Sequence, residues 1–370
     1  MSGISGRRIT VVSQLPPPVH GVTIVTGALL HVLREAGAEV RLVDRRFSRT
    51  VADVGRFRMR KVLALVGYWF RFLGDVIGHR PDAVVLFGTT RSFSFPADLG
   101  IVMIAKVLRL PLVNYVHSVG YRALAARRGF GRLVAFSLGS ADLTVCLGPT
   151  LISDVSPWAD GGTTRTIYNA TARLPTPSHR DDARLLFMSN LIAEKGVNDF
   201  LELAVELCQR RPSLICELAG AVVEPEVHAE QVARLTALGL ERRVRFLGVV
   251  TGDAKQQALA HSTALIFPSR FPLEAQPLTI IEAMSVGMPV VAFDTGGIRD
   301  IVAHEQTGML VAPGNVDELI ARTDELLENP ALRASLGQGA VERYERLHSL
   351  ESFQVEWARA LTSVLERKAS

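Results

Sequence analysis

The segment "FPLEAQPLTIIEAMSVGMPVVAFD", Phe271 to Asp294, sets two glutamates, Glu274 and Glu282, on either side of a proline. The run "PLTIIEAMSVG" reads as a helix. Pro277 suits its first turn, where a missing N–H costs nothing and the preset φ helps. Gly287 suits its stop, with Pro289 just beyond. The strand candidate "TALIFPS" precedes the segment and "PVVAFD" closes it, so strand, loop, helix and strand follow in order. The free N–H groups and positive dipole end of such a helix are a ready site for a diphosphate. Glu274 lies in the loop before the helix, and Glu282 lies about one and a half turns inside it. From the residues alone, two readings stand. The pair is a capping acid and a solvated helix residue, or two carboxylates addressing two parts of one ligand on either side of its phosphates.

Outward from this segment, short β-branched runs alternate with longer helical stretches. The first half carries "RITVVSQ", "EVRLVD", "AVVLFG", "PLVNYVH", "LTVCLG" and "TRTIYNA". The stretch "TARLPTPSHRDD", Thr171 to Asp182, is rich in Pro, Thr and charge and reads as a linker. The pattern restarts with "ARLLFMSN", "SLICELAG", "RVRFLGVV", "TALIFPS", "PVVAFD" and "GMLVAP", and helices follow from about Asn315. Near-continuous apolar strands separated by helices predict parallel sheets covered on both faces. The fold class is therefore α/β, with two doubly wound domains in tandem. Ligands bind such sheets outside the carboxyl ends of the strands, so two facing domains would share a central cleft there.

Composition agrees with two domains, since 370 residues exceed one ordinary core. At 48% apolar and 21% charged residues, the chain has the balance of a soluble globular protein. Residues 1–172 hold 21 Lys+Arg against 10 Asp+Glu, a net of +11; residues 173–370 hold 20 against 27, a net of −7. Opposite signs predict domains with different partners. Only five residues are lysine: Lys61, Lys106, Lys195, Lys255 and Lys368. The three cysteines, Cys146, Cys208 and Cys216, lie in apolar runs and read as buried free thiols of a reducing compartment. The N-terminal stretch "MSGISGRRITVVSQLPPP" lacks a long apolar run and a small-residue cleavage site, so no signal peptide is expected.

With these residues in view, Phe271–Asp294 resembles the E-x7-E segment of retaining glycosyltransferases of the GT-B fold, family 4, glycosyl transferases group 1. The likeness runs from "FPSRFPLEAQ" through "DTGGIRDIVAHEQTGMLVAPGN" and extends over almost the whole chain. It implies two Rossmann-like domains, 1–172 for the acceptor and 173–351 for the donor, with a final helix from about 352 to 370 packing back on the first. It implies that Glu274 contacts hydroxyls of the donor sugar and Glu282 the nucleotide ribose. Backbone amides around Pro277, Leu278 and Thr279 would hold the diphosphate, Pro277 itself giving no donor. In "LLFMSNLIAEKGVNDFLE", Lys195 and Gly196 match the family's Lys-Gly, and Lys195 would neutralise the departing diphosphate. Asn190 stands where the family has arginine, which removes a bidentate fork. Gly21, in "SQLPPPVHGVTIVTGALL", matches a glycine loop near the phosphates and acceptor. His117, at the end of "PLVNYVH", resembles a histidine that approaches the donor sugar; a lone histidine at a strand end is otherwise merely structural. Thr89, Thr90 and Arg91 fall at the same edge and would face the acceptor. Gly296 and Gly297 allow close ligand approach or a plain turn.

The absence of a D-x-D triplet and of a His/Cys cluster leads us to expect no metal and no cofactor beyond the donor itself. A G-x-G-x-x-G fingerprint is missing after the first strand, which counts against an oxidoreductase. From Arg45 to Phe72 there are eight basic residues and one acid, with Phe57, Tyr68, Trp69, Phe70 and Phe72 between them. This suits an anionic membrane surface better than nucleic acid, which is not expected; a solvated basic face on an ordinary helix is the alternative. The expected function is transfer of a sugar from a nucleoside-diphosphate sugar to a glycan or lipid-linked acceptor. The expected place is the cytoplasm, with peripheral attachment to the inner face of the membrane for a lipid-borne acceptor. The rivals are a nucleotide-sugar epimerase of the same fold and a catalytically silent sugar-binding protein.

Overall fold

Each of the twelve apolar runs forms a strand in the computed structural model, which describes residues 3–17, 20–45, 59–90, 94–176, 180–181 and 183–369, with the backbone alone at 59–63, 161, 368 and 369. The chain divides into two units, Met1–Ala170 with Leu350–Ser370, and Thr171–Ser349.

In the first unit the strands are β1 (Arg8–Ser13), β2 (Glu39–Asp44), β3 (Ala83–Gly88), β4 (Leu112–Val116), β5 (Leu143–Cys146) and β6 (Thr164–Thr166). They form one parallel sheet in the order β2-β1-β3-β4-β5-β6. β3, β4 and β5 are buried along their whole length, which is why their sequences are apolar apart from Asn114 and Thr144 rather than alternating. Helices Met59–His79 and Ser94–Val107 lie side by side; Trp69 of the first donates to the carbonyl of Ala97 at 3.0 Å. The closing helix Leu350–Ala369 completes this unit. Its Trp357 is fully buried edge-on to Tyr115 of β4, and its Gln354 donates to the carbonyl of Val32.

The second unit contains β7 (Arg184–Met188), β8 (Ile215–Ala219), β9 (Val244–Gly248), β10 (Ala264–Phe267), β11 (Val290–Phe293) and β12 (Gly308–Val311), again all parallel, in the order β12-β11-β10-β7-β8-β9. From β7 the chain winds outward to β9, then returns to β10 on the other side of β7 and winds out the opposite way. The loops after β7 and β10 therefore diverge and leave a crevice at the carboxyl ends of these neighbours, the position where doubly wound sheets take ligands. In the first sheet the same reversal falls between β1 and β3.

Glycines let the loops at this crevice close on one another. Gly196 has φ +80°, and a Cβ there would stand 1.9 Å from the carbonyl oxygen of Pro268, just after β10. A Cβ on Gly220, just after β8, would stand 1.7 Å from the carbonyl oxygen of Ser189. Both contacts are with backbone, which cannot swing aside. Gly196→Ala combines a left-handed backbone with a backbone clash and is expected to cost on the order of 3 kcal/mol. Urea unfolding of the two proteins measures it; a loss under about 0.5 kcal/mol, the scatter of neutral substitutions, would show that the loop simply yields.

Candidate active site

Lys195 ends a short 3-10 turn, Ala193–Lys195, in the loop after β7, and Glu274 lies in the loop after β10. The crevice between those strands brings them together: Nζ of Lys195 stands 2.6 Å from Oε2 of Glu274. Ser269 Oγ donates to the same oxygen at 2.8 Å. Oε1 of Glu274 has no hydrogen-bond partner among the described residues. The ammonium also lies 4.4 Å from the centre of the Phe271 ring, whose face attracts a cation. Glu274 is buried. An unpaired carboxylate in that position would be costly, so the lysine is part of what lets it stay there.

The loop that carries Glu274 is clasped from a third side. The N–H of Gly297 donates to the carbonyl of Glu274 at 2.9 Å, and a Cβ on Gly296 (φ +54°) would stand 2.2 Å from that same oxygen. The close approach at this glycine pair is therefore to protein backbone. Arg270 extends the brace: its guanidinium meets both carboxylate oxygens of Asp199, and its N–H donates to the carbonyl of Glu194 at 2.8 Å.

Helix Leu278–Ser285 begins one residue later than its sequence suggests. Pro277 is not in the first turn but caps it, with ψ 119°, and its carbonyl accepts from the N–H of Ile280 at 3.1 Å. Taking up the first intrahelical bond with a non-helical ψ is what defines a cap. Leu278 is thus the first helical residue, and the N–H groups of Leu278 and Thr279 have no acceptor inside the helix. Gly287, at φ +67°, stops it as expected. Glu282 is buried on this helix and is not a solvated residue. Its Oε1 lies 2.5 Å from Nζ of Lys255, on helix Gly252–His261. Asn190 lies exposed in the loop after β7.

The remaining candidates lie in the first unit. Gly21 opens helix Gly21–Glu35, and a Cβ there would meet nothing within 4 Å. His117 follows β4 between two rings, stacked on Phe87 (4.6 Å between centres) and edge-on to Tyr115 (3.9 Å). Its Nε2 is fully buried with no hydrogen-bond partner among the described residues. Burial, aided by the nearby Arg45 cation, pushes the imidazole down to about 3, so His117 is neutral. Arg45 is itself fixed by Asp98, with contacts of 2.9 and 3.0 Å to its two oxygens, and donates to the carbonyl of Phe87 at 2.8 Å. Burial raises Asp98 to about 6 against the opposing pull of Arg45. Thr89 donates its N–H to Asp98 at 3.2 Å, and Thr90 lies 3.3 Å from Ser118 Oγ. Arg91 lies outside the described residues.

The basic, aromatic stretch is only partly described: residues 46–58 and the side chains of 59–63, Arg56, Arg58, Arg60 and Lys61 among them, lie outside. Within the rest, Tyr68 and Phe72 are fully buried against the sheet, and Trp69 packs on Gly100. Phe70 and Ile77 face outward instead, 69% and 67% exposed. The helical period, not the density of aromatics, decides which ring meets solvent. Among the described residues no helix is long and apolar enough to cross a membrane, and no group of three or more His, Cys, Asp or Glu is placed to hold a metal ion. The three cysteines are free and buried.

Sequence reasoning missed Lys255, Ser269 and Arg270 as parts of this site. For Lys255 the scarcity of lysine was an available signal. Ser269 and Arg270 carried none.

Residues 171–343 match the family model described as "Glycosyl transferases group 1". The sulfoquinovosyl transferase SQD2 of Arabidopsis thaliana is 26% identical over 81% of this chain and 57% of its own. A D-inositol 3-phosphate glycosyltransferase of Frankia alni is 33% identical over 53% of this chain and 49% of its own. The chain thus spans about half the length of these curated relatives. Among solved structures, sucrose-phosphate synthase from Thermosynechococcus elongatus superposes with a TM-score of 0.77 at 17% identity, covering 98% of this chain and 100% of that one. HepE of Anabaena, in complex with UDP and glucose, gives 0.72 at 19%, covering 96% and 100%. The fold is GT-B.

The state of His117 has a checkable consequence. Its folded value lies below the ordinary 6.5, so the unfolded chain binds the proton first as pH falls. The stability it contributes is whole above pH 6.5 and is lost progressively toward pH 3. In His117→Phe, which keeps a ring between Phe87 and Tyr115, the drop in stability from pH 7 to about pH 4.5 should be smaller than in the parent by on the order of 1–2 kcal/mol. Urea unfolding at the two pH values measures it, and equal drops would show that His117 protonates freely in the folded state.

Proposed function

We propose that this chain is a glycosyltransferase of family 4 that moves a sugar from a nucleoside-diphosphate sugar to an acceptor hydroxyl with retention at the anomeric carbon. The observation that carries the reading is the Lys195–Glu274 pair at the switch point of the second sheet, with a helix N-terminus in the same loop. The match of residues 171–343 supports it. Both curated relatives above are named as sugar-transferring enzymes, and HepE was solved with UDP and glucose.

In this reading the open Oε1 of Glu274 accepts from a hydroxyl of the donor sugar, and Glu282 accepts from the ribose. The diphosphate sits at the N–H groups of Leu278 and Thr279, with Asn190 of the loop after β7 close to the donor. Lys195 stabilises the charge that grows on the leaving phosphate, the largest electrostatic demand of the step. No metal is called for. The acceptor hydroxyl attacks on the face the nucleotide leaves, and the departing phosphate oxygen takes its proton. His117, being neutral, serves by hydrogen bonding and steric fit rather than by charge.

The acceptor is a glycan or a lipid-linked glycan precursor. An acceptor borne on an anionic membrane suits the net positive half of the chain, and places the protein in the cytoplasm, peripheral on the inner face. The outward Phe70 and Ile77 and the exposed Arg71 of helix Met59–His79 are the described residues that would meet such a surface.

Incubation with nucleotide sugars tests the activity. Release of sugar from the nucleotide separates a transferase both from a silent binder and from an epimerase, whose product is still a nucleotide sugar, and the anomeric configuration of the product separates retention from inversion. Lys195→Ala should lower turnover by roughly two to three powers of ten, as when one stabiliser of developing charge is lost. Unchanged turnover would sink the role given to Lys195.

The membrane reading has its own test. Sedimentation with phosphatidylglycerol-containing vesicles should show binding that weakens with added salt and weakens further in Phe70→Ser/Ile77→Ser. Indifference to anionic vesicles at low salt would make a soluble acceptor the better assignment.

A further inference from the structure

The chain has 36 arginines and five lysines, yet the two carboxylates assigned to the donor are each paired with a lysine. The choice of cation matters to the carboxylate it faces. An arginine is a planar fork that can cover both oxygens; a lysine is a point charge that can take one and leave the other. Both behaviours are present here. Arg299 binds Asp294 with Nε to Oδ1 and a second nitrogen to Oδ2, both at 2.8 Å. Arg270 likewise engages the two oxygens of Asp199 with two different nitrogens. Glu282 differs. Lys255 holds its Oε1 at 2.5 Å, and Oε2 has no hydrogen-bond partner among the described residues. Glu274 has the same arrangement, Lys195 and Ser269 sharing Oε2 while Oε1 is left.

We propose that Lys255 is a positioning residue of the nucleotide site, holding Glu282 by one oxygen so that the other accepts from the vicinal hydroxyls of a ribose. This rests on the reading of Glu282 as the ribose ligand and adds to it a residue from a different element, the first turn of helix Gly252–His261 after β9. Glu282 is the one charged residue of its helix and is buried among Ile280, Ile281, Ala283 and Met284. A long side chain on its own would have other rotamers to choose from. The ammonium selects one and compensates the buried charge. The ligand class that fits is a nucleoside diphosphate with both ribose hydroxyls present. A nucleoside lacking them leaves a buried acceptor unmatched, which is the strongest source of discrimination a polar site has.

Lysine and arginine are then not interchangeable at 255. A merely structural ion pair would be preserved in Lys255→Arg. A positioning lysine would not, because the fork would take the oxygen the ribose needs. The test uses the full-length protein, Lys255→Met and Lys255→Arg, with UDP, GDP and ADP as probes in calorimetry and the 2′,3′-dideoxy form of whichever binds best. The expected parent prefers the ribose form by about tenfold or more. Both variants should lose about tenfold in affinity for the ribose form, lose little for the dideoxy form, and so lose the preference. In turnover they should raise KM for the donor more than they lower kcat, the mark of binding lost equally from ground and transition states. Thermal unfolding without ligand should leave Lys255→Arg near the parent, which separates the effect from misfolding. Parent-like binding of the ribose form by Lys255→Arg would overturn the proposal, as would equal weakening of both forms. A parent that binds nucleotide but ignores the ribose hydroxyls overturns it too, while sugar release still upholds the transferase. A parent that binds none of the three nucleotides removes the donor reading itself, and this inference with it.

Discussion

The pairing of Lys195 with Glu274 depends on strand order. The two residues are 79 positions apart, and nothing local brings them together. They meet because β7 and β10 are neighbours although β8 and β9 lie between them in the chain, so the loops leaving both strands open over one crevice. A lysine there has a partner that is itself buried, and each group makes the other's burial tolerable. Lys195 and Ser269 share one oxygen of the carboxylate, and a point charge leaves the other uncovered.

Around that pair the structure has little freedom. Gly196 presses on Pro268, Gly296 and Gly297 press on Glu274 and Ala275, and Arg270 ties the loop after β10 to both Glu194 and Asp199. The loops after β7, β10 and β11 are thereby packed backbone to backbone, an approach that only residues without a Cβ permit. A sugar-binding site of the kind proposed gains from such bracing, since misplacement weakens every hydrogen bond it makes.

The first unit solves a different problem. Its carboxyl edge carries a buried ion pair, Arg45–Asp98, under a neutral histidine. Taking charges out of water is expensive, and this pair offsets the cost with contacts to both carboxylate oxygens, a carbonyl acceptor on Phe87 and a backbone donor from Thr89. Burial keeps His117 unprotonated, and the same cation adds to the effect. The chemistry open to this edge is therefore that of shape and hydrogen bonds, whereas the second unit offers charge.

The twelve strands could be read from the sequence because strands covered on both faces must be apolar nearly throughout, and runs such as "AVVLFG" and "PVVAFD" have no other reading between helical stretches. Gly287 as a helix stop was equally legible, since few residues accept its backbone. The residue types of the candidate site were visible too, Glu274 and Glu282 by their spacing around a helix start and Lys195 by the rarity of lysine. Their partners were not. Ser269 is an ordinary residue until the sheet order sets it beside a buried carboxylate, and the rarity of lysine marks Lys255 without saying which carboxylate it faces. Tyr68 and Phe72 looked like surface aromatics until the helix turned them into the core. Pro277 sits one step outside its helix because the ψ of the loop, fixed by what the loop packs on, overrides the local preference of a proline. Local backbone preference and hydrophobic burial act along the chain and are written in it. Which charge faces which, and which ring faces water, depends on elements far apart in sequence, and only the folded sheet brings those together.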